Sequence, residues 1–287
     1  MGMFLIRMAP SIHHFLLLSL LLLSISSGCC CADGVDDIGP WECSFVNNYT
    51  DGDPFKTNLD KLLTSLSANA PTTGFYKDTV GNKSNKVYGL VQCRGDISGV
   101  DCAKCINNAT KQVLHDCSNS KRVQVWLTKC YLHYSDENFF GNLGMSSGSM
   151  AVSYSTDYDD AFVALQGVTL MTKLATTTPN QALMFQTTII DAGKNGKRYG
   201  MAQCTRDLNR ADCGKCLDKL MLDLGSSSYN KRGWEIFTMS CRMWYNDYQL
   251  FSANYSLPSN RGTRKVLSQR VQVSLIAFLM LMVLNVF

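Results

Sequence analysis

Lys86–Cys105 reads KVYGLVQCRGDISGVDCAKC, and Lys197–Cys216 reads KRYGMAQCTRDLNRADCGKC. Both stretches contain a C-x8-C-x2-C pattern in which Tyr-Gly and Gln-Cys recur at the same places. Each cysteine of the first stretch has a counterpart 111 positions later, since 204 − 93, 213 − 102 and 216 − 105 all equal 111. A complex pattern that recurs in step indicates tandem duplication. The chain therefore contains two copies of one structural unit.

The same spacing extends beyond the quoted stretch, with one informative exception. Cys241 lies 111 positions after Cys130. Cys43 and Cys117 have no such counterparts, because position 154 is a tyrosine and position 228 is a serine. Two cysteines missing together from the second copy indicate that Cys43 and Cys117 bond to each other.

Length and composition place the chain among secreted proteins. Its 287 residues are enough for two units of roughly 100 residues each. The formal net charge is only +4 and the basic residues are scattered, so nucleic acid is not an expected partner. Thirteen cysteines are typical of a secreted protein held by disulfides.

The amino terminus predicts a signal peptide over residues 1–32. Met1–His14 carries one arginine and no acid, and Phe15–Ile25 is an apolar run of signal-peptide length. Cleavage after Gly28 is an alternative, but cleavage after Ala32 leaves 13 − 3 = 10 cysteines, an even number. The other alternative is that these three cysteines are retained and are acylated or bridge to another chain. Secretion also agrees with four N-x-S/T glycosylation sequons, at Asn48, Asn82, Asn108 and Asn254.

Local patterns predict two helices in each copy. Leu59 and Leu63 recur at helical spacing, and Leu170 and Leu174 lie 111 positions after them. The second helix of each copy carries the C-x2-C pair on its buried face. We expect Asp101 to be its N-cap in the first copy and the corresponding Asp212 in the second.

With these motifs, the chain resembles the plant cysteine-rich repeat secretory proteins, whose unit is the ginkbilobin-homologous, or stress-antifungal, domain. The resemblance covers about residues 41–255 and includes Cys-x-x-x-Tyr after the core motif. It implies an α+β fold of two tandem ginkbilobin-like domains, each with two helices on a five-stranded antiparallel sheet. It also implies the disulfides Cys43–Cys117, Cys93–Cys102, Cys105–Cys130, Cys204–Cys213 and Cys216–Cys241.

The expected organisation follows from these boundaries. Residues 33–140 form the first domain, 141–149 a Gly/Ser/Met-rich linker and 150–256 the second domain. The bridge missing from the second domain would close a loop of 117 − 43 + 1 = 75 residues in the first. Such a loop is worth about 4 kcal/mol in the chain-entropy model. Better packing of the second domain or its docking on the first can offset this loss, and our hypothesis is docking.

The motifs of enzymes and metal sites are missing from the sequence. There is no G-x-S-x-G, H-E-x-x-H, P-loop or G-x-G-x-x-G pattern. A zinc site at C-x2-C would need further close ligands, and the mature chain has only His115 and His133. No kinase segment follows the second domain. We expect structural cysteines, no cofactor and no enzymatic activity.

A more specific functional hypothesis is that the protein binds carbohydrate. The ginkgo antifungal relative binds mannose through an Asn, an Arg and a Glu at fixed offsets from its cysteines. The corresponding residues here are Ser44, Gln124 and Ser135, and in the second copy a residue near 155, Glu235 and Asn246. None matches the motif, so no sugar-binding residue is transferred and sugar binding stays an open question. Three tryptophans could stack on a sugar or pack inside the domains, and we favour packing: Trp126, Trp234 and Trp244.

The carboxyl terminus predicts membrane attachment. Residues 257–270 form a polar spacer and 271–287 are almost wholly apolar. Arg261, Arg264, Lys265 and Arg270 precede this apolar segment and no Lys or Arg follows it, opposite to the charge order of a type I span. A GPI signal fits better, with Asn260 as attachment residue. The alternative is a transmembrane segment.

Together these features predict a non-enzymatic, membrane-anchored interaction module in plant stress, defence or cell–cell signalling. Its expected location is the extracellular face of the plasma membrane. Cell-surface proteins and receptor-like kinases are candidate partners. The alternatives are a plasmodesmata-located regulator of cell-to-cell traffic and a lectin-like antifungal protein.

Overall fold

The computed structural model describes residues 38–44, 46, 48–143, 148–153, 157–225 and 228–251. The predicted signal peptide, polar spacer and apolar C-terminal segment lie outside the described residues, as do Asn254 and Asn260. No helix among the described residues is long and apolar enough to cross a membrane.

The first unit packs two helices on one face of an antiparallel sheet. Its helices are α1 (Pro54–Thr73) and α2 (Gly99–Asp116). Its strands are β1 (Ile38–Cys43), β2 (Phe75–Val80), β3 (Val87–Cys93), β4 (Val123–Leu127) and β5 (Cys130–Ser135). The strand order is β1-β4-β5-β3-β2, and the core lies between sheet and helices.

The second unit repeats this architecture. Its helices are α3 (Ala161–Thr177) and α4 (Arg210–Asp223). Its strands are β6 (Met150–Ser153), β7 (Phe185–Asp191), β8 (Lys197–Cys204), β9 (Trp234–Phe237) and β10 (Cys241–Asn246), in the order β6-β9-β10-β8-β7. The predicted α+β fold, with two helices on a five-stranded antiparallel sheet, is confirmed in both units.

The predicted helix N-caps are wrong by three residues. Ser98 caps α2, because its hydroxyl accepts the backbone N–H of Asp101 at 3.1 Å. Asn209 caps α4 in the same way, accepting the N–H of Asp212 at 2.9 Å. Both aspartates instead lie in the first helical turn, where a carboxylate interacts favourably with the helix dipole.

The spacing of 111 residues holds in the three central strands of each sheet but not in the two edge strands or in the first helix of each unit. Leu174 lies in the core, whereas Leu170, which lies 111 positions after the buried Leu59, is only half-buried. The buried face of α3 instead follows that of α1 by 108 positions, since 163 − 55, 167 − 59 and 171 − 63 all equal 108. That face includes Gly167, where a Cβ would lie 2.6 Å from the Tyr245 hydroxyl oxygen. The absence of a side chain at Gly167 therefore leaves space for this hydroxyl.

A buried ion pair holds the region of the second unit that corresponds to the missing disulfide. The guanidinium of Arg198 at the start of β8 donates to Asp159, with Nε at 3.0 Å from Oδ2, and both side chains are buried. Asp159 also donates its backbone N–H to Asn230 O at 2.7 Å. In the first unit the backbone N–H of Tyr49 donates to Asn119 O, and Asn119 lies two residues after Cys117 of the Cys43–Cys117 bridge. The ion pair thus lies where the second unit has Asp159 in place of Tyr49, and Asn230 in place of Asn119, two residues beyond Cys117.

The two units contact each other in a nearly reciprocal way. Trp126 Nε1 donates to Thr238 O at 2.8 Å, and Arg242 Nη1 donates to Leu127 O at 2.9 Å. The two accepting carbonyls are equivalent positions, since 238 − 127 = 111. The same surface of each unit therefore faces the other, as in a dimer with two-fold symmetry.

Candidate functional site

The cysteines of the duplicated stretch are structural. Cys102 bonds to Cys93 and Cys105 bonds to Cys130, so the two cysteines of one C-x2-C motif serve different bridges. The second unit repeats both bonds, and the first adds Cys43–Cys117. All ten cysteines within the described ranges are paired, in the pairs that the family resemblance implies. No group of His, Cys, Asp or Glu in those ranges has the arrangement of a metal site.

The candidate functional site is a cavity of about 390 Å³ on the sheet face that the helices of the first unit leave uncovered. Strands β1, β4 and β5 form its floor, and the segment after β5 forms one wall. Met239, in the turn between β9 and β10, adds a side chain from the second unit. The lining residues are Glu42, Ser44, Arg122, Val123, Gln124, His133, Ser135, Glu137, Asn138, Phe139, Asn142 and Met239.

The antiparallel register explains why these polar side chains meet. Gln124 on β4 lies opposite Glu42 on β1 and opposite His133 on β5. Directly opposed side chains in a sheet lie on the same face. The Gln124 amide donates to the Glu42 carboxylate, and its carbonyl accepts the Tyr131 hydroxyl at 3.4 Å. Three adjacent strands therefore contribute one continuous polar surface.

Arg122 is the cation of the cavity, and two carboxylates neutralise it. Its Nε lies 2.5 Å from Asp136 Oδ1 and its Nη2 lies 2.5 Å from Glu137 Oε1. These contacts raise the pKa of Arg122, chiefly through the hydrogen bond to Asp136. The guanidinium therefore stays charged but already has anionic partners.

His133 is a neutral polar group in the cavity wall. Its ring stacks on Phe139 with 3.5 Å between ring centroids. Burial lowers the pKa of His133 to about 3, because the charged imidazolium would lose its hydration there. The imidazole can thus donate one hydrogen bond and accept another at any ordinary pH.

The cavity includes all three positions at which the family resemblance places sugar contacts in the first unit. Ser44, Gln124 and Ser135 line it, although none has the side chain of the mannose-binding relative. Ser135 Oγ accepts the Glu137 N–H at 3.0 Å and so positions the wall. The structure therefore brings these three positions together.

The corresponding positions of the second unit are closed. Glu235 and Asn246 are both buried, and the position near 155 lies outside the described residues. Glu235 forms an ion pair with Arg242, whose guanidinium lies 5.3 Å from the centroid of the Trp126 ring at the junction. In the second unit Glu235 thus serves the contact between units.

The tryptophans pack inside the protein, as favoured from the sequence. Trp126, Trp234 and Trp244 are at most 4% exposed. Trp126 stacks on Tyr131 with 4.0 Å between ring centroids. These rings support the floor and the junction and are not available to stack on a sugar.

The asparagines of the glycosylation sequons that the structure describes are accessible. Asn48, Asn82 and Asn108 are all exposed, while Asn254 and the predicted GPI attachment residue Asn260 lie outside the described residues. An exposed asparagine is compatible with an attached glycan, so glycosylation at the three sites stays a prediction.

Sequence reasoning did not identify three of the cavity residues as parts of a site. The only local signal at Glu42 is its place beside Cys43. His133 was considered only as a zinc ligand. Met239 carries no local signal, because its role depends on the docking of the second unit.

Comparison with known proteins agrees with the fold and the cysteine pattern. Residues 42–137 and 148–248 match the family model described as salt stress response/antifungal. The chain is 35% identical over 211 residues to cysteine-rich repeat secretory protein 38 of Arabidopsis thaliana, covering 72% of this chain and 83% of that protein. It is 30% identical over 239 residues to antimicrobial ginkbilobin-2-like protein of Castanea crenata, covering 83% of this chain and 96% of that protein.

A solved structure shows the same arrangement of two units. The tandem DUF26 ectodomain of the Arabidopsis thaliana cysteine-rich receptor-like protein PDLP8 superposes with a TM-score of 0.65 at 26% identity. The superposition covers 74% of this chain and 98% of the PDLP8 chain. With two matched copies, the paired cysteines and the shared fold, the chain belongs to the salt stress response/antifungal family of plant cysteine-rich repeat proteins.

Proposed function

We propose that the protein is a non-enzymatic interaction module on the extracellular face of the plant plasma membrane, acting in stress, defence or cell–cell signalling. The observation that carries this proposal is the cavity at the junction of two docked units. Its polar side chains converge on one opening, as in a site that recognises a ligand. A disulfide-bonded scaffold on either side keeps that opening in one shape.

The proposed route to the cell surface uses both ends of the chain. The signal peptide 1–32 directs secretion, and the segment 257–287 supplies a GPI signal with Asn260 as attachment residue. The test is a fluorescent fusion inserted in the polar lead-in after Ala32, followed by phospholipase C treatment of intact cells. Release into the medium supports the GPI anchor, and retention at the surface favours a transmembrane segment. An intracellular fusion protein would contradict the proposed location.

The second candidate is a plasmodesmal regulator of cell-to-cell traffic. The fold similarity to the tandem ectodomain of PDLP8 favours it. The same fusion distinguishes the two functions, because a plasmodesmal protein gives discrete spots in the cell wall. Uniform labelling of the cell outline would count against this candidate.

A lectin-like antifungal function is the third candidate. The relative from Castanea crenata is described as antimicrobial, and the three sugar-contact positions of the family line the cavity. Their replacement by Ser44, Gln124 and Ser135 predicts that mannose binds weakly or not at all. Tight binding of mannose oligosaccharides to the purified protein would favour the lectin over the signalling module.

A further inference from the structure

One of the glycosylation sequons lies inside a helix. Asn108, Ala109 and Thr110 belong to α2, whereas glycosylated sequons are typical of surface loops. The side chain of Asn108 is exposed, but Ala109 is buried in the core. The hydroxyl oxygen of Thr110 is also buried, and it has no hydrogen-bond partner among the residues that the structure describes. In the folded protein, only the asparagine of this sequon is therefore accessible.

The other two described sequons differ from Asn108 in this respect. Asn48 and Thr50 are both exposed, in a segment without regular structure. Asn82 and Ser84 are both exposed at the short 3₁₀ helix between β2 and β3. At each of these places the asparagine and the hydroxyl residue are accessible together. Asn48 and Asn82 thus provide internal references for Asn108.

Three disulfides tie α2 to the sheet on both sides of the Asn108 sequon. Cys102 and Cys105 on α2 bond to the end of β3 and the start of β5, and Cys117, directly after the helix, bonds to the end of β1. The transferase that attaches N-glycans recognises the asparagine together with the hydroxyl of the residue two positions later. Presentation of Asn108 and Thr110 to that enzyme therefore requires α2 to unwind and its buried face to leave the core.

We propose that Asn108 accepts a glycan only before α2 folds, so that folding and glycosylation compete at this site. In the transfer, the amide nitrogen of Asn108 forms a bond to C1 of the donor oligosaccharide and loses one proton to a base of the transferase. The bond from C1 to a polyprenyl diphosphate breaks, and the diphosphate leaves. Once α2 is closed, an unmodified Asn108 stays unmodified. The inference rests on the proposed secretion, because this donor belongs to the secretory pathway.

The order of residues along the chain allows this competition. Cys130, the partner of Cys105, follows Asn108 by 130 − 108 = 22 residues. At 5–20 residues per second, this separation corresponds to about 1–4 s of synthesis. Helices in proteins owe most of their stability to tertiary packing, so α2 is not fixed before β5 has been synthesised. The sequon is therefore accessible for this interval and is hidden afterwards.

The test is glycan transfer in vitro to the full-length protein, purified without glycans from plant cells treated with tunicamycin. An oligosaccharyltransferase and its lipid-linked donor are added to the native protein and to the reduced, unfolded protein, and mass spectrometry follows each sequon. In the native protein we expect transfer to Asn108 to be slower than transfer to Asn82 by about tenfold or more, because it needs local opening of α2. In the unfolded protein the two rates should agree within about threefold.

Two double variants locate the protection. Cys105→Ser/Cys130→Ser releases α2 from β5 and should accelerate transfer to Asn108 several-fold. Cys216→Ser/Cys241→Ser removes the equivalent bridge of the second unit, so this matched control should leave the rate unchanged. Circular dichroism shows whether each variant is folded. If one is not, the parent protein before and after reduction still decides the proposal.

Two results would overturn the proposal. Equal transfer to Asn108 and Asn82 in the native protein would show that the fold does not protect the sequon. Slow transfer to Asn108 in the unfolded protein would assign the difference to local sequence. Secretion is tested separately, because the absence of glycans from all three sequons in untreated cells contradicts secretion. Glycans at Asn48 or Asn82, together with failure of the transfer test, contradict only this inference.

Discussion

Gln92 and Gln203 each donate a hydrogen bond to the carbonyl of the cysteine that follows the other. Gln92 Nε2 lies 2.7 Å from Cys204 O, and Gln203 Nε2 lies 3.0 Å from Cys93 O. The two glutamines are 111 positions apart, and both are buried. The duplicated Gln-Cys dipeptide thus performs two tasks in each unit. Its cysteine closes a local bridge, and its glutamine joins the units.

Removal of either glutamine should destabilise the protein, and Gln92 should matter more. Gln92 Oε1 also accepts the backbone N–H of Arg206 at 2.8 Å, so Gln92→Leu leaves two backbone groups without this partner. We expect a loss of about 1–3 kcal/mol in the free energy of unfolding, with a smaller loss for Gln203→Leu. Urea unfolding of the oxidised protein measures both. Gln166→Leu on α3 is the control, and an equal or larger loss for Gln203→Leu would contradict this ranking.

Addition of even a methyl group at Gly95 should destabilise the protein. A Cβ at this position would lie 2.5 Å from ring atoms of Phe185 in the second unit. At the equivalent place in the other half, the Arg206 guanidinium lies 5.0 Å from the Phe75 ring centroid. We expect Gly95→Ala to lower the unfolding free energy by about 1–3 kcal/mol. Gly148→Ala is the matched control, because a Cβ there has no atom within 4 Å.

Removal of one partner of the Asp159–Arg198 pair should destabilise the protein more than replacement of both. Asp159→Leu leaves the Arg198 guanidinium buried without its carboxylate, and we expect a loss of about 3–5 kcal/mol. The double variant Asp159→Leu/Arg198→Met removes both charges and should recover much of that loss. Thermal unfolding of the parent protein, the single variant and the double variant tests this. The exposed pair of Lys215 and Asp212 gives the comparison, since Lys215→Met should change stability little. A double variant no more stable than Asp159→Leu would show that the unpaired charge of Arg198 does not cause the loss of stability.

The Cys43–Cys117 bridge should stabilise the first unit mainly by restricting its unfolded chain. Cys43→Ala/Cys117→Ala opens a loop of 75 residues, and we expect a loss of about 4 kcal/mol. The midpoint of urea unfolding measures the change. Because Cys43 follows Glu42 on the edge strand β1, the double variant should also weaken binding in the cavity. A loss below about 1 kcal/mol would show that β1 is held by its ladder with β4 alone.

His133 should make the protein less stable as the pH falls. Its pKa is about 3 in the folded protein and 6.5 in the unfolded chain, so the unfolded chain binds more protons between these values. The contribution is therefore absent above pH 6.5 and becomes increasingly destabilising as the pH falls towards 3. We expect His133→Gln to flatten the dependence of unfolding free energy on pH in this window.

The control for this pH dependence is the other histidine of the described chain. The side chain of His115 is 87% exposed and its contact with Asp116 is at the surface, so His115→Gln should change the slope less than His133→Gln does. Comparison of slopes removes any constant loss that the substitution of His133 causes through Phe139. Identical slopes for His133→Gln and the parent protein would show that the imidazole titrates normally.

Much of the fold could be predicted because its signals are local or repeated. The spacing of 111 residues identified two units, and the family resemblance that their motifs carry implied the α+β architecture that the structure confirms. The errors occur where equal spacing was extended too far. Leu170 lies 111 positions after Leu59 but does not share its buried position, because the three-residue difference between α1 and α3 has no mark in the cysteine pattern. The N-caps were misplaced because a serine or asparagine three residues earlier competes successfully for the same backbone N–H groups.

The candidate site depended on the tertiary structure. By itself, the sequence determined the duplication, the two kinds of unit with six and four cysteines, and the helices that carry C-x2-C, because these follow from residue type and spacing along the chain. Only the tertiary structure decided that Glu42, His133 and Met239 line one cavity. It also decided that Asp159 and Arg198 pair where the long bridge is missing. Burial and electrostatic pairing depend on which surfaces meet, and no local pattern contains that information. The C-x8-C-x2-C stretch therefore reveals the scaffold, while the docking of its two copies forms the site.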